Sequence, residues 1–121
     1  MPKVAIILVN FNGLEYLADC LNSLLKLTYN QSEYKIFFID NASTDNSVAF
    51  VKNNYPQVEI SINIENLGFA QGNNLGLVQA LRQNYDYAFL INQDTITAPD
   101  VLNQLVDLAE ADNLVAAVQP R

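Results

Sequence analysis

Apolar residues run unbroken from Val4 to Val9, after which Leu14, Leu17, Ala18, Leu21, Leu24 and Leu25 recur at spacings of three and four. The first pattern, over residues 3–9, is that of a strand buried on both faces; the second lays one apolar stripe along a helix. The alternation continues down the chain. YKIFFI at 34–39 predicts a second buried strand, followed by a helix that Asp45 can cap and that Pro56 stops after about Asn54. VEISIN at 58–63 predicts a third strand, with Leu77, Val78 and Leu81 forming the apolar side of a helix that ends near Asn84. YAFLI at 87–91 gives a fourth strand. Pro99 fits the first turn of a helix carrying Val101, Leu102, Leu105, Val106 and Leu108, and LVAAV at 114–118 gives a fifth strand. Strands alternating with helices through short connections predict an α/β domain: a Rossmann-like, mostly parallel sheet with helices on both faces and right-handed crossovers.

The polar residues gather just after the strands, at Asn10 to Gly13, Asp40 to Ser47, Asn66 to Asn74 and Asn92 to Thr95. In an open parallel sheet these loops share one edge, where ligands of such folds bind. Length and composition narrow the picture. The 121 residues, half of them hydrophobic and 16% charged, fit a single folded domain spanning 1–121. Six basic against thirteen acidic residues leave a net charge of -7 with no basic cluster, which argues against a nucleic-acid partner. The longest apolar run falls far short of the roughly 20 residues needed to cross a bilayer, so no transmembrane segment is expected. Met1-Pro2-Lys3 lacks the features of a signal sequence, and the expected location is cytoplasmic. The lone Cys20 is assigned to packing in a reducing compartment. With no histidine, Ser-His-Asp and Cys-His catalysis and most zinc sites are excluded.

Three motifs carry candidate chemistry. Asp40, at a strand end, can accept hydrogen bonds from a ribose hydroxyl or a base N–H; the competing reading is an Asx-turn, which is preferred for Asp45 and Ser47. Gly68, Gly72 and Gly76 fall every fourth residue. Free N–H groups at such a helix entrance favour phosphate, with Gly68 and Asn73 expected toward the ligand and Gly76 toward packing. Asp94, in Asn92-Gln93-Asp94-Thr95, is too sparse for an all-protein metal cage. It suits a magnesium or manganese ion that arrives with substrate phosphates, and equally an Asx-turn before the Pro99 helix; a convergent Asp40 tips it toward function. There is no G-x-G-x-x-G after the first strand and no G-x-x-x-x-G-K-[ST] phosphate loop.

Taken together and in register, VNFNG at 9–13, DNASTDNS at 40–47, NLGFAQGNN at 66–74 and LINQDT at 90–95 resemble inverting family 2 glycosyltransferases, across almost the whole chain. The resemblance implies the GT-A fold, here truncated to its N-terminal, nucleotide-sugar-binding part. It implies that Val9, Asn10 and Phe11 line a nucleoside pocket, that Asp40 bonds the base, and that Asn41 and Ser43 shape that loop. Gly68 and Asn73 would lie along the nucleotide. Asp94 matches the last acid of the family's D-x-D motif, which coordinates Mg2+ or Mn2+ beneath the diphosphate; Asn92 stands where the first acid is often found, so the motif is N-x-D. The implied reaction passes a sugar from a UDP- or dTDP-linked donor to an acceptor hydroxyl with inversion, in polysaccharide or cell-envelope glycan synthesis. The acceptor would be a glycan or a lipid-linked acceptor, and the location peripheral to the inner face of the membrane.

Asn-Gln-Asp-Thr is also loosely similar to rhamnosyltransferases. The family's general base lies well downstream of D-x-D and is not expected before Arg121, since Asp100, Asp107, Glu110 and Asp112 read as the solvated face of a helix. A non-catalytic nucleotide-sugar-binding module or assembly partner is the alternative. Strands missing from the sheet would leave an exposed edge, through which a homo-oligomer could form.

Overall fold

The computed structural model describes residues 1–111 and 117–118. Five strands, β1 (Val4–Asn10), β2 (Tyr34–Asp40), β3 (Glu59–Ile62), β4 (Tyr87–Asn92) and β5 (Ala117–Val118), form one sheet in the order β3-β2-β1-β4-β5. Every neighbouring pair is parallel. Four helices connect them: α1 (Leu14–Leu25), α2 (Ser47–Asn54), α3 (Gly68–Arg82) and α4 (Val101–Ala111). The expected elements are all present, each shifted by a few residues at most except the fifth strand, of which only Ala117 and Val118 are described; Asp112 lies outside the described residues.

β1 is buried at every position because both its faces are covered. Val4, Ile6 and Leu8 pack with Leu17, Leu21 and Leu24 of α1, Val51 of α2, and Leu102 and Val106 of α4. Ala5, Ile7 and Val9 face the other way, with Phe37, Ile39 and Ala80 of α3. Gly76 makes that second contact close: a Cβ there would stand 2.4 Å from Ile7 Cγ2, so its assignment to packing is met. The covering of both faces follows from the connections. α1 and α2 carry the chain outward from β1 to β3 on one face, and α3 carries it back to β4 on the other, so these three share one hand. The passage from β4 to β5 differs, because α4 returns to the α1 face. Its start is held there by Thr28, whose N–H and hydroxyl both donate to Pro99 O, and by Thr97 N, which donates to Ser23 Oγ.

Cys20 sits fully buried in the α1-side core. Burial, and secondarily the charge of Asp94, pushes its thiol up to about 12. A disulfide reagent at pH 8 is therefore expected to leave Cys20 unmodified in the native chain and to react fully in denaturant; rapid native labelling would contradict this placement.

Candidate functional site

Strand order reverses between β1 and β4, since β1 leads outward to β2 while β4 lies on its other side. The crevice beyond the carboxyl ends of such a strand pair is where open α/β sheets bind ligands. An open cleft of about 440 Å³ lies there, lined by Val9, Phe11, Tyr16, Asn41, Asn66, Gly68, Phe69, Asn92, Gln93 and Asp94. Six of the sequence-expected residues are among them: Val9, Phe11, Asn41, Gly68, Asn92 and Asp94.

Asp40 is not. Strand alternation decides this: Asp40 shares the parity of Phe38 and points to the α1 and α2 face, whereas Asn41 shares that of Ile39 and points to the α3 face. Asp40 is 1% exposed, and its oxygens are occupied from within. Oδ1 accepts from Asn10 Nδ2 at 2.9 Å and from Ser43 Oγ at 2.7 Å; Oδ2 accepts from Ser43 N at 2.9 Å. Ser43 Oγ in turn accepts from Asn12 N at 2.9 Å. Asn10, Asp40 and Ser43 thus form a buried network beneath the cleft, tying the loop after β1 to the loop after β2. The turn that closes it puts Ala42 at φ 62, a left-handed conformation that is costly for alanine.

Asn41 works on the cleft side. Its Nδ2 donates to Gly68 O at 3.0 Å and its Oδ1 accepts from Asn63 Nδ2 at 2.8 Å, which fixes the entrance of α3 against β2. Gly72 allows this approach, since a Cβ would meet Val9 Cγ1 at 2.8 Å. Gly68 serves differently: its φ of +83 turns the chain into the helix. Its N–H is taken by Asn66 Oδ1 at 2.8 Å, and Leu67 provides no side-chain cap. The next N–H groups of α3 are left to the cleft, with the positive end of a 15-residue helix behind them. Asn73 is 6% exposed and lies one turn deeper, its Oδ1 without a hydrogen-bond partner.

On the opposite wall Asp94 is exposed, and no other carboxylate lines the cleft among the described residues. Nor does any described lysine or arginine. Asp100 and Glu110 are engaged on α4 and its approach, accepting from Gln104 Nε2 and the Tyr87 hydroxyl, and Asp107 is exposed on the same helix. No group of three or more histidine, cysteine, aspartate or glutamate side chains suited to hold a metal occurs among the described residues. One carboxylate with neighbouring amide oxygens is a sufficient donor set for a divalent ion that keeps waters and shares substrate phosphates, and insufficient for a protein-only cage.

Tyr16, Asn66, Phe69 and Gln93 line the cleft without having been singled out in the sequence. Asn66, Phe69 and Gln93 lie inside quoted motifs. Tyr16 carries one signal, a half-exposed aromatic off the apolar stripe of α1.

Asp45 is structural, as expected, and does more than cap one helix. Its Oδ1 accepts from Ser47 N and Ser47 Oγ at the start of α2, and its Oδ2 accepts from Leu14 N, the first residue of α1. Burial alone would raise its carboxyl, but the hydrogen bonds from Ser47 and Leu14 outweigh it and hold the group below its ordinary value. A lowered folded value contributes stability that is fully present above the unfolded value of about 3.9 and is lost as pH falls through the folded one. Asp45→Asn is therefore expected to cost about 1 kcal/mol at pH 7, the scale of a lost cap, and progressively less as the solution is acidified. Urea midpoints at the two extremes check this; an equal cost at both would contradict it.

The sequence model of glycosyl transferase family 2 matches residues 5–121. A poly-beta-1,6-N-acetyl-D-glucosamine synthase of Staphylococcus aureus is 29% identical over 121 residues, covering 98% of this chain and 28% of that protein. Among solved structures, S. aureus TarS 1-349 in complex with UDP superposes with a TM-score of 0.81 at 21% identity, covering 92% of this chain and 33% of that one. A mannosyltransferase from Pyrobaculum calidifontis, PcManGT, in complex with GDP-Man and Mn2+, gives 0.74 at 22% identity over 89% of this chain and 32% of that one. These structures share the GT-A fold. The chain spans 27–28% of the length of the curated relatives it matches.

Proposed function

Because the chain belongs to glycosyl transferase family 2, we propose that the cleft between β1, β4 and α3 holds the nucleoside diphosphate of an activated sugar. The sugar passes with inversion to an acceptor hydroxyl in glycan synthesis. One observation carries this reading: the cleft at the strand-order reversal joins a helix N-terminus, whose N-cap residue Leu67 offers no side-chain bond, to a single exposed carboxylate, with no lysine or arginine among the described residues that line it. A diphosphate in a chain of net charge -7 needs compensation. The N–H groups of α3 supply part of it, and Asp94 supplies the rest only through a cation. Asp94, with Asn92 beside it, would hold Mg2+ or Mn2+, which when bound neutralises charge on the departing diphosphate.

Val9 and Phe11 offer the nucleoside an apolar wall, Asn41 a fixed amide, and Gly68 an unobstructed backbone. Asp40, Asn10 and Ser43 act from beneath by holding the two loops, so the share of Asp40 in gripping the base is indirect. The general base that takes the acceptor proton is a separate group, since Asp94 is the lone carboxylate lining the cleft among the described residues. That same observation favours a second reading, a nucleotide-sugar-binding module working with a catalytic partner.

Nucleotide-dependent thermal stabilisation tests the donor reading. UDP or dTDP with Mn2+ at a hundred times its dissociation constant is expected to stabilise the chain by about 2.7 kcal/mol, with GDP and ADP weaker. Equal shifts for all four would contradict the pyrimidine assignment, and no shift for any would contradict donor binding. Release of UDP from a UDP-sugar by this chain would favour the enzyme over the module.

A further inference from the structure

We propose that Gln93 is a positioning residue that couples the nucleoside wall to the metal-bearing turn, so that nucleoside diphosphate and divalent cation reinforce each other's binding. This rests on the donor reading above. The β1-β4 ladder ends at the pair Val9 and Asn92. Beyond it, the Gln93 side chain continues the connection. Its Oε1 accepts from Phe11 N at 2.9 Å and its Nε2 donates to Phe11 O at 3.3 Å, so one amide engages both backbone groups of one residue. Among the described residues no other hydrogen bond joins the loop at 10–13 to the turn at 92–95.

The socket for this clasp is Gly13. A Cβ there would stand 2.4 Å from Gln93 Cδ and 2.6 Å from its Oε1, so any larger residue displaces the amide. The Gly13 backbone is at φ -100, where every residue is comfortable; space, and not conformation, calls for glycine. Gln93 is flanked by Asn92 and Asp94, and Thr95 N donates to Asn92 O at 3.0 Å to close the turn around it. Phe11, Asn92, Gln93 and Asp94 all line the cleft. A ligand that orders Phe11 therefore orders the turn holding Asp94, and a cation that orders that turn orders Phe11. Reciprocity follows from linkage.

Gln93→Met keeps the length of the side chain and removes both hydrogen bonds. Two readouts apply: hydrogen exchange of the Phe11 amide, and the ratio of UDP dissociation constants measured without and with Mn2+. The wild type is expected to show a slowed Phe11 amide and a ratio of about tenfold or more, and Gln93→Met a fast amide and a ratio about threefold smaller, what remains being the direct attraction of cation and diphosphate at Asp94. Gly13→Ala, which fills the socket from the other side, is expected to lower the ratio likewise and serves if Gln93→Met folds poorly. A fast Phe11 amide with an undiminished ratio would overturn the coupling while leaving donor binding intact. Failure of the wild type to bind UDP at all would overturn the donor reading and this inference with it.

Discussion

Asp40→Ala is expected to lower the unfolding free energy by about 3 kcal/mol, because it strips a shared acceptor from buried or half-buried donors on Asn10 and Ser43. The loss would show as a lower urea midpoint with an unchanged slope, and nucleotide affinity should fall with it because the loops after β1 and β2 lose their common anchor. Asp40→Asn does not rescue: one of its positions becomes a donor where Asn10 Nδ2 and the Ser43 groups already donate. A variant with wild-type stability and abolished binding would show instead that Asp40 faces the nucleotide directly. Binding loss in Asp40→Ala is thus informative only alongside its stability.

Asp94→Asn makes the opposite profile. Asp94 is exposed, and its side chain makes no hydrogen bond among the described residues, so the fold should be unaffected. In Mn2+ the substitution is expected to weaken UDP binding at least about tenfold, roughly 1.4 kcal/mol, through loss of the cation's one charged ligand among the described residues. Without metal the sign reverses: removing a negative charge from beside a diphosphate should leave binding equal or slightly tighter. Calorimetric titration under both conditions reads the two signs in one series. Weakening by the same factor with and without Mn2+ would contradict a metal-mediated role.

The apolar runs and helical stripes were sufficient to read the α/β class, because a doubly covered parallel sheet makes its strands continuous in hydrophobicity and its helices periodic. That same continuity hid which way the strand ends point. In YKIFFID every residue from Ile36 onward is buried, so no alternation marks Asp40 as turned toward α1 and Asn41 as turned toward α3. One residue of parity separates a side chain beneath the cleft from one on its wall. Asn10 and Val9 differ in the same way.

The hand of the β4-to-β5 connection was equally hidden, since it depends on Thr28 and Ser23 holding α4 against the end of α1, contacts more than 70 residues apart in the chain. Asp94 was readable because it follows its strand in a turn, where exposure needs no parity. Gln93 was quoted within its motif and passed over: an amide between two candidate ligands gives no sign, in sequence, that it reaches back 82 residues to a backbone. The vacant Cβ position of Gly13 is the sequence trace of that contact, visible only once the two are seen together.

The account turns on whether the cleft at the strand-order reversal takes a nucleoside diphosphate. Backbone amide spectra recorded as UDP is added in the presence of Mg2+ address this residue by residue. The prediction is saturable shifts concentrated at Phe11, Asn41, Gly68, Phe69 and Asn92 to Asp94, with the α4 surface around Asp107 and Glu110 unmoved. No shifts at saturating UDP, or shifts centred away from these residues, would contradict it.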